Sequence, residues 1–149
     1  MTQWLDDAQQ SAWRKFIEVV ELLPGALDSQ LRRDAELTHF DYFTLAMLSE
    51  APRRTLRMTA LAELTHSTLP RLSHVVSRLE ERGYVERSPC PDDRRATNAA
   101  LTEPGWQKVV ASAPGHVDAV RELVFANLDA SDVADLDRVM ARILRTLAE

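Results

Sequence analysis

At 149 residues, with 45% apolar and 28% charged content, the chain is long enough to bury one sizeable core and too short for two ordinary domains. A net charge of -5 argues against an evenly basic nucleic-acid-binding surface, because duplex DNA is a polyanion whose binding is driven largely by counterion release. The charge is divided, however: residues 53 to 95 hold nine arginines against six acids, a local +3, which leaves -8 on the flanks.

The start, MTQWLDDAQQ, lacks the basic then apolar pattern of a secretory signal, and no apolar run approaches the roughly 18 residues that cross a bilayer, so a soluble cytoplasmic protein is expected. From Asp7 to Leu31 the apolar residues Trp13, Phe16, Ile17, Val20, Leu23, Leu27 and Leu31 recur at spacings of three and four, the mark of a long amphipathic helix. Pro24-Gly25 is expected to kink or split it. Thr38 and Asp41 have the spacing of a capping box, and Phe40, Phe43, Met47 and Leu48 continue a second helix until Ala51-Pro52. A short third helix is expected from about Met58 to Thr65.

After the turn at His66-Ser67, TLPRLSHVVSRLEERG reads as a helix with a Ser or Thr cap, Pro70 in its first turn and its end at Gly83. Tyr84 to Arg87 and Ala96 to Leu101 read as two short strands around an exposed SPCPDDRR loop, a hairpin or wing. Thr102 is placed to cap a fifth helix, interrupted at Pro114-Gly115. Asp129 or Ser131 caps a sixth, whose apolar face carries Val133, Leu136, Val139, Met140, Ile143, Leu144 and Leu147.

A short helix, a tight turn and a longer helix make a helix-turn-helix unit, whose second helix has the width of the DNA major groove. With Leu72, Val75, Val76 and Leu79 set toward the core, Pro70, His74 and Ser77 centre the opposite face and Arg71, Ser73 and Arg78 flank it, with Thr68 at the helix start. These small or hydrogen-bonding residues suit base edges and phosphates. Cys90 is the single cysteine, which excludes an intrachain disulfide. The histidines at 39, 66, 74 and 116 lack the paired spacing of a metal site, so no metal and no cofactor is expected. With no Gly-rich phosphate loop, no H-E-x-x-H and no nucleophile motif, the chain does not read as an enzyme.

LAEL (Leu61 to Leu64), SRLEERGYVER (Ser77 to Arg87), DDRR (Asp92 to Arg95) and LTEPG (Leu101 to Gly105) together resemble the MarR family, the multiple antibiotic resistance regulators, over nearly the whole chain. The resemblance implies a single domain over 1 to 149, mainly α with a small two-stranded β-wing. It has a winged helix-turn-helix part at 38 to 101 and a helical dimerisation part at 7 to 31 and 103 to 148. The function it implies is a sequence-specific double-stranded DNA-binding regulator, a ligand-responsive repressor working as a homodimer on a near-palindromic operator. Apolar faces larger than one small winged domain can cover agree with pairing through Leu123, Val124, Leu128, Leu136, Val139, Ile143 and Leu147.

In the family an Asp-x-Arg pattern in the wing sends its arginine into the minor groove. The matching residues here are Asp93 and Arg95, with Arg94 assigned to a phosphate. Family members often bind small aromatic effectors, for which Trp13, Phe16, His39, Phe40, Phe43 and Trp106 are the candidate pocket. Leu69, Pro70 and Arg71 depart from the family's usual run of small hydroxyl residues at the start of this helix, so no operator sequence transfers. The alternative reading, suggested by the acidic flanks, is a winged helix protein-interaction module without specific DNA binding.

Overall fold

A computed structural model describes residues 1–148. The chain divides into two compact units, Met1–His116 and a second from Val117 onward. The first holds helices α1 (Asp7–Ala35) and α2 (His39–Glu50), a 3-10 turn (Pro52–Arg54), strand β1 (Thr55–Arg57), helices α3 (Met58–Leu64) and α4 (Leu69–Glu81), strands β2 (Val85–Cys90) and β3 (Asp93–Leu101), and most of α5 (Glu103–Val120). The second holds the end of α5, a π-helical turn (Arg121–Phe125) and α6 (Ala130–Leu147).

Caps define the helices where the sequence placed them. Thr38 Oγ1 accepts from the Asp41 backbone N–H at 2.9 Å while Asp41 accepts from the Thr38 N–H, closing the expected capping box. Thr68 caps α4, and Asp129, rather than Ser131, caps α6 through a second such box. Neither internal proline divides its helix: α1 runs unbroken through Pro24 and α5 through Pro114. Pro24 removes one backbone bond, to the carbonyl of Val20, but both residues lie on an exposed stretch where water supplies the missing partner. Gly115 has a different use, since a Cβ there would lie 3.2 Å from Gln30 Nε2 of α1.

The wing is larger than expected. β1, β3 and β2 form a three-stranded antiparallel sheet in that order, with Leu56 opposite Ala99 on one side of β3 and Arg87 opposite Ala99 on the other. Three residues are too few for β1 to show an alternating pattern in the sequence, and only pairing with β3 makes TLR a strand. Most of the expected SPCPDDRR loop is strand as well, with Pro91-Asp92 left as the turn and an irregularity in register between Pro89 and Cys90. Pro89 is tolerated because β2 is an edge strand, where a missing N–H costs no ladder bond.

The core joins Leu31, Leu37, Leu45, Leu48, Leu61, Leu72, Val76, Leu79 and Val85, each at most 2% exposed. The apolar stripe expected on α4, Leu72, Val75, Val76 and Leu79, is buried in full. Behind it, Thr102 joins the end of α4 to the start of α5: its Oγ1 donates to the Gly83 carbonyl at 2.6 Å and accepts from the Gly105 N–H at 3.1 Å.

That junction explains the glycine of LTEPG. A Cβ on Gly105 would overlap the Tyr84 carbonyl oxygen and lie 2.7 Å from Leu101 Cδ1. Gly105→Ala is therefore expected to destabilise the fold by about 1 to 3 kcal/mol or more in denaturant unfolding, since backbone cannot yield as a side chain does. Gly25→Ala, where a Cβ meets nothing within 4 Å, is expected to raise stability slightly, as helix propensity dictates.

Candidate nucleic-acid interface

The helix-turn-helix is closed by a turn whose His66 has φ 52°, and by Thr65, whose Oγ1 donates to the Leu61 carbonyl at 2.8 Å. The buried stripe of α4 then forces the rest of that helix outward. Thr68, Pro70, Arg71, His74 and Arg78 are exposed, while Ser73 and Ser77 are half-buried. The two serines face the sheet. Arg87 of β2 reaches back to them, its Nη1 donating to Ser73 Oγ at 3.3 Å and its Nη2 to Ser77 Oγ at 2.9 Å.

The same guanidinium donates to Glu80 Oε1 from Nε and Nη2, and the Arg87 backbone N–H donates to Glu80 Oε2 at 2.9 Å. That backbone bond is the main reason the Glu80 carboxyl lies below its ordinary value, with the guanidinium adding to it against a smaller opposing effect of burial. Ser77, expected at the centre of the free face, is thus part of a clasp between α4 and β2. Nothing in the sequence identified Arg87, because a seven-residue separation across Gly83 has no helical or strand period that pairs it with Glu80.

On the opposite flank, Arg78 Nη2 lies 3.2 Å from Asp41 Oδ1. Asp41 is buried, so one carboxylate both caps α2 and ties it to α4. Arg71 lies over the Phe40 ring, 4.3 Å from its centroid. Between these pairs opens a groove of about 610 Å³ whose walls include Phe40, Pro70, Arg71, His74 and Arg78.

In the wing, Asp93, Arg94 and Arg95 are all exposed. The Asp93 carboxylate accepts from the Arg95 backbone N–H at 3.0 Å, so it orders the strand that carries Arg95. Among the described residues the guanidiniums of Arg94 and Arg95 make no ion pair. Recognition-helix and wing residues alike belong to the first unit, joined by the Arg87 clasp.

The candidate effector residues fall into separate places. Trp13 and Phe16 pair in α1 at 6.3 Å between centroids. Phe40 lies under Arg71, and Trp106 lies 4.1 Å under Arg54, which also meets Glu103 at 3.4 Å. His39 stacks with Phe43 and with His116, each at 6.4 Å, and Tyr42 lies 4.5 Å from His116. Beside this group two buried polar atoms have no partner within the protein, His116 Nδ1 and Gln30 Oε1.

The residues expected at a dimer interface lie in the second unit. Leu123, Val139, Ile143 and Leu147 are 49%, 38%, 37% and 74% exposed, and Val124, Leu128 and Leu136 are half-buried. No residue of α6 is buried. No helix among the described residues is long and apolar enough to cross a membrane.

Burial lowers the pKa of both His39 and His116, opposed at His39 by Asp28 and reinforced at His116 by His39 itself. A depressed histidine pKa means that the unfolded chain binds more protons, so this contribution to stability is complete above the unfolded value of 6.5 and is lost as pH falls below it. The thermal midpoint is expected to drop on acidification below that pH, with a shallower drop in His116→Gln. Identical pH profiles for the two proteins would remove His116 from the effect.

Comparison with known proteins matches this geometry. The MarR family model matches residues 37–97, the span from α2 into β3. The crystal structure of Sco3205, a MarR family transcriptional regulator from Streptomyces coelicolor solved in complex with DNA, is 44% identical, with a TM-score of 0.95 over 100% of this chain and 93% of that one. AbsC, a MarR family transcriptional regulator from the same organism, is 38% identical, with a TM-score of 0.92 over 99% of both chains. Among curated proteins, the uncharacterised HTH-type transcriptional regulator YdcH of Bacillus subtilis (strain 168) is 33% identical over 93 residues, 61% of this chain and 63% of that protein. With identity at this level extending over the full length, and with the helix-turn-helix and wing built as the motifs required, the chain belongs to the MarR family of transcriptional regulators, DNA-binding proteins and not enzymes.

Proposed function

We propose that this regulator is a cytoplasmic homodimer that represses transcription by binding a near-palindromic operator through α4 and the wing, and that a small aromatic effector releases it. The observation that carries the reading is the joint exposure of His74, Arg71 and Pro70 on α4 and of Arg94 and Arg95 on the wing of one compact unit. A helix presents the first set to base edges in the major groove, while a hairpin tip delivers a guanidinium to the narrow minor groove, where the negative potential is strongest. The DNA complex of the 44% identical Sco3205 supports this choice of partner.

The dimer is supported by the apolar residues that α6 leaves exposed, which would be released from water by a second copy at ~25 cal/mol per Å². Twofold symmetry then requires two half-sites, about one helical turn or roughly 34 Å apart. The effector reading rests on the buried, unpartnered Gln30 Oε1 and His116 Nδ1 near aromatic rings, because such atoms favour a ligand or water able to bond them.

Fluorescence anisotropy with the duplex best retained from a random-sequence pool tests the reading. Arg95→Ala is expected to weaken binding and to lower the salt slope by about 1, since one guanidinium no longer displaces a counterion from the groove. His74→Ala is expected to relax base preference, by ~1 to 3 kcal/mol at the contacted position. Light scattering at micromolar concentration should return a dimer mass. A chain that retains no duplex would favour the protein-interaction alternative, for which the -8 charge outside residues 53 to 95 is the supporting feature.

A further inference from the structure

The two arginines of α4 are held in opposite ways. Arg78 spends an Nη2 N–H on the buried Asp41 carboxylate at 3.2 Å. Arg71 is held by a ring instead: its guanidinium carbon lies 4.3 Å from the centroid of Phe40, a half-buried residue of α2. Among the described residues the Arg71 side chain makes no hydrogen bond and no ion pair. The carboxylate in the wall of the same groove does not draw it away, because Asp28 Oδ1 accepts the His39 backbone N–H at 2.8 Å and Oδ2 accepts Arg32 Nε at 2.6 Å.

Both ends of the ring contact are fixed by their own helices. Phe40 stands between His39, bonded to α1 through Asp28, and Asp41, which closes the capping box of α2. On α4, the Arg71 backbone N–H donates to Thr68 Oγ1 at 3.3 Å. A phenyl ring attracts a cation through its quadrupole and carries no lone pair, so the contact limits the rotamers of Arg71 without consuming its N–H donors. An arginine located in this way but still unspent suits the paired acceptors of guanine, O6 and N7, which take two N–H groups from one planar fork in the major groove. Arg71 also stands in the first turn of α4, the end from which a reading helix meets base edges.

On the DNA-binding reading above, we propose that Phe40 is a positioning residue for base selection: its ring holds Arg71 in place with the donors free, and Arg71 then reads a guanine in each half-site. Phe40 acts through Arg71 and has no need to touch the duplex. Sequence order had grouped it with the effector candidates, because nothing local to α2 pairs it with a residue of α4. Arg78, already bound to Asp41, is left out of base reading.

The test uses the full chain and the duplex selected from the random pool, with each base pair replaced in turn and binding read by anisotropy. Arg71→Lys keeps the charge and loses the fork, so the salt slope should hold while preference for one G·C pair falls by about tenfold or more. Trifluorophenylalanine at position 40 keeps the ring and drains charge from its face. It should weaken preference for that same pair roughly two- to fivefold, the range of an exposed cation–π contact, with the salt slope unchanged. Phe40→Leu should act in the same direction, and Phe40→Tyr should retain the wild-type preference. In an Arg71→Ala background the fluorinated ring should change base preference no further, because the two side chains act as one unit.

A fluorinated ring that leaves base preference intact, or that alters it at a pair Arg71→Lys does not affect, would overturn the role of Phe40 while leaving the regulator reading in place. A loss in Arg71→Lys that is uniform across sequences would make Arg71 a phosphate contact and overturn the proposal in the same way. A wild type that retains no duplex would overturn both.

Discussion

One arginine makes the second helix of the helix-turn-helix and the wing a single body. Arg87 leaves the edge strand β2, crosses to α4 and bonds Glu80, Ser73 and Ser77 at once, using its backbone N–H and all three side-chain nitrogens. A two-stranded projection by itself is marginally stable in water and would swing on its turn. Tied here, and paired through β3 to β1, the wing is held against α4, so a partner that touches both meets a surface with little ordering left to do.

The clasp also divides labour along α4. Its two serines are committed to Arg87, and Arg78 to the buried carboxylate of Asp41, so the middle and C-terminal turns are anchored on both flanks. Exposed Thr68, Pro70, Arg71 and His74 lie on the N-terminal half. That asymmetry suits a helix whose first turns enter a groove while the remainder is gripped by its own fold. It also links α4 to α2 through Asp41, because the residue that caps α2 is the one that holds Arg78.

The charge pattern becomes intelligible in the same terms. Counterion release rewards local positive charge at the contact surface and is indifferent to acids kept more than a Debye length, about 10 Å at moderate salt, from the phosphates. A chain of net charge -5 can therefore bind a polyanion, provided its arginines are gathered as they are between residues 53 and 95. Not all nine serve that surface: Arg54 covers Trp106 and Arg82 donates to the Glu36 carbonyl, so part of the apparent basic patch stabilises the fold.

By itself the sequence determined the helices, their caps, the buried stripe of α4 and the family, because these depend on short-range periodicity and on hydrogen bonds between residues three or four apart. The LTEPG, DDRR and LEERG segments carried the same kind of local information, and the glycine of the first proved to be a backbone contact with Tyr84. What lay beyond it were contacts between elements. The strand at TLR exists only through β3, the prolines at 24 and 114 are absorbed by continuous helices, and the aromatic residues grouped by proximity in helical order lie in different places. Only the tertiary structure decided that Ser77 is held rather than free and that Arg87 meets Glu80 and Arg78 meets Asp41, since charges distant along a chain acquire partners only when packing sets the distance between them.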